Sequence, residues 1–226
     1  MSTPVLEFKE TTISFGGLKA VSPLSFAIPP GQLAAIIGPN GAGKTTVFNL
    51  ITGVYAPTAG EIWVEGHQVA SAGKCLKPHQ LVRRGLARTF QNIRLFGDLS
   101  VTDNVRAAFA SRAGYGLFDS LLQTGKMMAQ ESWIEEETEK LLTTFNLMSR
   151  RHELSRNLPY GDQRRLEIAR ATATQPKILL LDEPTSGMNP SETDAVTETI
   201  KLVQEQLGIA VLLIEHHMSL VMGICE

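Results

Sequence analysis

Three runs in this 226-residue chain are apolar at consecutive positions, not at every second one: QLAAIIG, KILLLDEP and IAVLLIEHH. A strand with one face in water alternates apolar and polar residues, so a continuous run predicts a strand covered on both faces. The second and third runs each follow a stretch that reads as a helix, which points to a parallel α/β sheet. Residues 5–8 and 24–28 read as shorter strands around the turn-forming FGG. GEIWVEGHQV alternates and reads as a strand of a smaller antiparallel sheet joined to them.

The middle third differs. From Val101 to about Met148 no buried strand is legible, and Ile134, Leu141, Leu142 and Phe145 recur at helical spacing, so a helical lobe inserted in the sheet domain is expected. At 43% hydrophobic residues the chain can bury one large core with such a lobe. Twenty-one basic against twenty-three acidic residues give a net charge of -2, which argues against a nucleic-acid partner; Arg83, Arg84 and Arg88 are then read as solvated. Cys75 and Cys225 are far apart and lack metal-ligand spacing, as suits a reducing compartment. No apolar run approaches the roughly 18 residues of a membrane span.

GPNGAGKTT, from Gly38 to Thr46, fits the phosphate-loop pattern at Gly38, Gly43, Lys44 and Thr45, between a buried strand and the amphipathic VFNLI. Glycines let the backbone approach an anion, and the helix start presents N–H groups with the positive end of its dipole. In such loops the lysine reaches the β- and γ-phosphates and the hydroxyl ligates Mg²⁺, here Lys44 and Thr45. Asp182 and Glu183 end the run ILLL, where ligands of parallel sheets collect; Asp182 suits the Mg²⁺ shell and Glu183 suits polarising a water. The bland alternatives are a glycine-rich turn and a solvated or helix-capping acid pair.

LPYGDQRRLEIARA, shortly before LLLDEP, resembles the signature segment of ATP-binding cassette (ABC) ATPases, usually LSGGQ followed by a basic helix. Phe15, RTFQ ending in Gln91, SGMN and IEHH with His216 stand in the family's order, so the resemblance covers nearly the whole chain. GGLKAV, GPNGAGKTTVFNLITG, RTFQNIRLF, YGDQRRLEIARA and LIEHHMSLVMGIC are similar to the ATPase subunits of bacterial branched-chain amino acid importers; lipopolysaccharide-export and urea-import ATPases are similar too.

The resemblance implies an α/β P-loop NTPase (RecA-like) core with a parallel sheet, an N-terminal antiparallel β subdomain and an inserted α-helical subdomain. Residues 1–226 form a single ATPase domain on this reading: 1–92 the β subdomain and first part of the core, 93–157 the helical subdomain, and 158–226 the signature helix and rest of the core. The family continues past MGIC, so the C-terminal end of its fold is expected to be missing.

Carried over, Phe15 stacks on adenine, and Gly38, Pro39, Asn40, Gly41, Ala42, Gly43, Lys44, Thr45 and Thr46 hold the phosphates of ATP. Thr45, Gln91 and Asp182 serve Mg²⁺, and Glu183, His216, Gln91 and Lys44 serve hydrolysis. Tyr160, Gly161 and Asp162 reach nucleotide on a second ATP-binding subunit, identical or paralogous, in a head-to-tail dimer, and Ser186 to Asn189 form the loop that crosses to it. Transmembrane permease subunits dock on Gln91 through Phe96, where Ile93, Leu95 and Phe96 offer apolar contacts, at the cytoplasmic face of the bacterial inner membrane. A periplasmic amino acid binding protein acts indirectly.

Pro159 stands where the signature serine offers its hydroxyl and lacks a backbone donor too, although proline suits the first turn of a helix. Loss of such a donor is worth on the order of 10²-fold in rate. Two rival readings stay open: a nucleotide-gated regulatory module with weak turnover, and a soluble ABC ATPase acting on nucleic acid.

Overall fold

The computed structural model describes residues 3–110 and 125–215 with Val221 and Gly223. The chain divides into two compact units, one formed by residues 1–92 with 176–226 and the other by 93–175. The second unit thus takes in residues 158–175, which the sequence reading had assigned to the core along with everything after them.

In the first unit, β1 (Leu6–Phe15) and β2 (Leu18–Ile28) pair antiparallel, longer than the short strands expected around FGG. GEIWVEGHQV proves to be two strands: β4 (Ala59–Val64) and β5 (His67–Ser71) meet across Glu65 and Gly66, whose φ values of 49° and 72° suit a tight hairpin turn. With the two-residue β6 (Lys74–Cys75) they form a sheet in the order β2-β1-β4-β5-β6.

The parallel sheet has the order β3-β9-β8-β7, with β3 at Leu33–Ile36, β7 at Leu86–Arg88, β8 at Ile178–Asp182 and β9 at Ala210–Ile214. Strands β8 and β9 are buried at every position, as continuous apolar runs predict. Strand β3, at one edge of this sheet, is half-buried throughout, so the expectation of two covered faces fails there.

Helix α1 (Lys44–Ile51) contributes buried Val47, Phe48, Leu50 and Ile51 to a core shared by both sheets. Helix α2 (Pro78–Arg83) buries Leu81 and leads into β7.

The second unit is helical, as the sequence suggests: α3 (Val101–Ala110), α4 (Gly125–Thr144) and α5 (Tyr160–Ala173), with 3-10 turns at Met148–Arg150 and Ser155–Asn157. Val101, Val105 and Phe109 follow one helical face of α3; Ile134 and Leu142 on α4, and Phe145 just beyond it, are also buried. Asn104 is fully buried, with its amide tied to the chain at Phe96, Leu99 and Ser100. Residues 111–124, most of the glycine-bearing tract after α3, lie outside the described residues. Helix α6 (Pro190–Glu205) returns to the first unit and buries Val196, Ile200 and Val203 at helical spacing.

Candidate functional site

Strand β3 runs out into the glycine-rich loop, and α1 starts at Lys44. Gly43 is the residue before the helix, with φ 87°, and a Cβ there would stand 2.6 Å from the Ala20 carbonyl oxygen. A side chain is therefore excluded on two counts, conformation and space, and the loop backbone can approach a ligand closely. No side chain caps α1, so its first N–H groups remain available to an anion. Lys44 is 7% exposed and donates from Nζ to the carbonyls of Gly38 (2.7 Å) and Pro39 (3.0 Å), which places its ammonium inside the loop.

A cavity of about 300 Å³ opens beside this loop, lined by Leu18, Lys19 and Ala20 from β2, by Asn40, Gly41, Gly43, Lys44, Thr45 and Thr46, and by Glu183. Gly38 and Pro39 support Lys44, while Ala42 is outside the lining and its N–H donates to the Pro39 carbonyl. Phe15 is also outside it; 45% exposed, it packs edge-on against Tyr55 at 5.1 Å between ring centroids.

At the C-terminal end of β8, an inner strand of the parallel sheet, Asp182 is the last residue and Glu183 follows at φ 45°, a left-handed conformation costly for a non-glycine residue. Its N–H donates to the Ile214 carbonyl at the end of β9. Gln91, 92 positions earlier, donates from Nε2 to Glu183 Oε2 at 3.0 Å. The structure therefore brings Thr45, Glu183 and Gln91 together, and the glutamine expected to meet metal and water meets the Glu183 carboxylate.

Asp182 has a partner that sequence reasoning missed. Arg88, read as a solvated cation, is buried to the same degree as Asp182, both side chains being 10% exposed, and pairs with Asp182 Oδ2 at 2.9 Å. Its other arm donates to Asn49 Oδ1 at 2.9 Å and Thr52 Oγ1 at 3.2 Å, and its guanidinium lies over the rings of Phe48 and Phe90. The available signal was position alone: Arg88 ends a three-residue strand three places before Gln91. Arg83 and Arg84 are exposed as expected.

A second missed residue is Glu215, fully buried after β9, which accepts from the hydroxyl (2.8 Å) and the N–H (3.4 Å) of Thr185. His216 lies outside the described residues. Asn189 in the SGMN loop caps α6: its Oδ1 accepts from the Glu192 N–H, and Glu192 returns a bond to the Asn189 N–H, both at 3.0 Å.

The donor set fits a polyphosphate: a helix start, a glycine cradle and a lysine around a cavity of the size small ligands occupy. Mg²⁺ is normally held by one or two protein oxygens with phosphate and water, and the Thr45 hydroxyl beside the cavity and the Asp182 carboxylate at the end of β8 are oxygens of that kind.

In the helical unit, α5 begins at Tyr160, which is 40% exposed. Pro159 is the cap residue, one place earlier than the first-turn position expected for it, and supplies no side-chain cap; its carbonyl accepts from the Gln163 N–H at 2.9 Å. The Asp162 carboxylate is engaged by Arg150 at 3.1 Å and by Arg165.

A model of the family described as ABC transporter matches residues 21–186. The high-affinity branched-chain amino acid transport ATP-binding protein LivG of Escherichia coli (strain K12) is 42% identical over all of this chain and 87% of its own length. BraF of Pseudomonas aeruginosa, of the same description, is 41% identical over the same shares. Among solved structures, the ADP conformation of MJ1267, an ATP-binding cassette of an ABC transporter, superposes with a TM-score of 0.80 at 27% identity, covering 99% of this chain and 85% of that one. By its phosphate loop, its acid pair and these likenesses, the chain belongs to the ABC transporter family of ATP-binding cassettes.

Proposed function

We propose that this chain is the ATP-hydrolysing subunit of an importer of branched-chain amino acids, working at the cytoplasmic face of the bacterial inner membrane. One observation carries the hydrolytic part: Lys44, Thr45 and Glu183 line a single cavity at the start of α1. The amino acid assignment is supported by the 42% identity to LivG over the whole chain.

ATP binds with its phosphates on the loop N–H groups and Lys44. The Thr45 hydroxyl and the Asp182 carboxylate would hold Mg²⁺, with Arg88 retaining one carboxylate oxygen. Bound Mg²⁺ offsets the charge of the β- and γ-phosphates. Glu183 accepts a proton from water as its oxygen attacks the γ-phosphorus; the bond to the bridging oxygen breaks, releasing ADP and phosphate. Gln91 orients Glu183 through its 3.0 Å bond, and His216 steadies the γ-phosphate. Phe15, exposed on the same hairpin as Leu18, offers a ring to adenine.

Two ATP-binding subunits, identical or paralogous, pair head to tail, each presenting the N–H groups of Tyr160, Gly161 and Asp162 to nucleotide on the other. Permease subunits dock on residues 91–96, and a periplasmic binding protein delivers the amino acid. No helix among the described residues is long and apolar enough to cross a membrane, so this reading leaves the crossing to the permease.

Pro159 favours a second reading, a nucleotide-gated module with little turnover, because the cap residue offers no hydroxyl. Mg²⁺-dependent hydrolysis by the complex with its membrane subunits separates the two. Glu183→Gln should reduce turnover by at least about 10²-fold with nucleotide binding kept, and Pro159→Ser should raise it by up to about 10²-fold. A native complex that binds ATP without hydrolysing it, and that Pro159→Ser does not activate, overturns the transport-motor reading.

A further inference from the structure

Both main-chain polar groups of Arg94 are gripped by α5. The Arg94 N–H donates to Glu167 Oε1 at 3.1 Å, and the Arg94 carbonyl accepts from Arg170 Nη2. Glu167 and Arg170 are three positions apart and so share a face of α5. Glu167 is 2% exposed, and its second oxygen accepts from Arg164 Nη1 at 2.7 Å, so its carboxylate is held from two sides. The Arg170 guanidinium also lies over the Phe96 ring at 5.0 Å.

The next turn of chain is held as firmly. The Phe96 N–H donates to Asn104 Oδ1 at 3.0 Å, and its carbonyl accepts from Asn104 Nδ2 at 3.1 Å and from Ser155 Oγ at 2.8 Å. Residues 94–96 have no helix or strand of their own, yet their polar backbone is built into the helical unit by buried side chains. The Phe96 side chain nevertheless remains 53% exposed. A loop that needed only to connect β7 to α3 would leave these peptides to water, since exposed backbone is satisfied by water without buried charged partners. A buried carboxylate is costly unless its geometry is satisfied; Glu167 meets that need with Arg164 and the Arg94 N–H, while the half-buried Arg170 holds the carbonyl of the same residue.

We propose that Glu167 and Arg170 are positioning residues that fix the Arg94 peptide to the signature helix, so that a permease loop pressing on residues 93–96 carries Tyr160, Gly161 and Asp162 with it. This rests on the transport reading above, because it assigns the docked partner. The clamp transmits displacement from the docking segment to the helix start that completes the other subunit's nucleotide site. It acts without touching nucleotide.

Two measurements on Glu167→Gln and the milder Arg170→Lys test this. In the full isolated chain, hydrogen exchange of the Arg94 amide should accelerate at least about tenfold in Glu167→Gln, with protection along α3 and α4 and nucleotide affinity unchanged within twofold. In the complex with its membrane subunits, the ratio of substrate-stimulated to basal hydrolysis should fall toward one in both variants. General loss of protection through the helical unit in both variants would make the pair merely structural and overturn the proposal. So would a freed Arg94 amide with stimulation intact. A wild-type complex without hydrolysis refutes the transport reading and the coupling with it, whereas stimulated wild-type hydrolysis that both variants retain refutes the coupling alone.

Discussion

Replacing Arg88 by methionine isolates the contribution of its buried ion pair with Asp182. Methionine keeps an apolar side chain against Phe48 and Phe90 but removes the charge and the donors to Asp182, Asn49 and Thr52. Breaking a buried pair from one side costs roughly 3–5 kcal/mol, because the remaining charge stays desolvated and unmatched. With both side chains 10% exposed, some water reaches the abandoned carboxylate, so a loss of about 3 kcal/mol is expected. For a chain of this length that corresponds to a melting temperature lower by roughly 6–12 °C. Urea unfolding followed by circular dichroism measures the free energy. Adding Asp182→Asn to Arg88→Met removes the stranded charge, so the double variant should recover at least about 1.5 kcal/mol relative to the sum of the single losses. A loss below about 1 kcal/mol for Arg88→Met, or strictly additive single losses, would refute the view that this pair organises the end of β8.

Two further outcomes follow from the geometry. Gly43→Ala should weaken ATP binding at least about tenfold by calorimetry, since a left-handed alanine alone costs roughly 1–2 kcal/mol and its Cβ would meet the Ala20 carbonyl at 2.6 Å; unchanged affinity would show that the loop has another workable shape. Burial raises the Glu167 carboxyl above its ordinary value, against the opposing pull of the Arg94 N–H and of Arg164. The folded chain thus binds this proton more tightly than the unfolded one. The associated stability is fully present below the ordinary glutamate value of 4.5 and is lost as pH rises through the folded value. Relative to Glu167→Gln, the native chain should therefore become less stable as pH rises from about that value toward neutrality, and a difference that grows the other way in urea titrations would contradict the assignment.

What the sequence determined by itself was local and periodic. The runs that became β8 and β9 declared burial on both faces because every position is apolar, and the phosphate loop was legible because glycines, lysine and threonine must sit at fixed spacing to wrap an anion. Glu183 was legible for a similar reason, since a strand end in a parallel sheet points its next residue at the ligand. Short elements such as β7 escaped, having only three residues in which to show a period. So did the half-buried state of β3, because what covers a strand's faces belongs to the tertiary packing and not to the strand's own composition.

Only the tertiary structure decided which polar groups meet. Arg88 and Asp182 are 94 positions apart, Gln91 and Glu183 are 92 apart, and Arg94 and Glu167 are 73 apart. The first two pairs depend on the parallel register that sets Leu86 beside Ile178 and Arg88 beside Leu180, and the third on the packing of the segment after Gln91 along α5. A charge reads as solvated in sequence whenever its partner is distant. It becomes a buried ion pair when apolar strands, aligning for their own burial, carry both ends to one place.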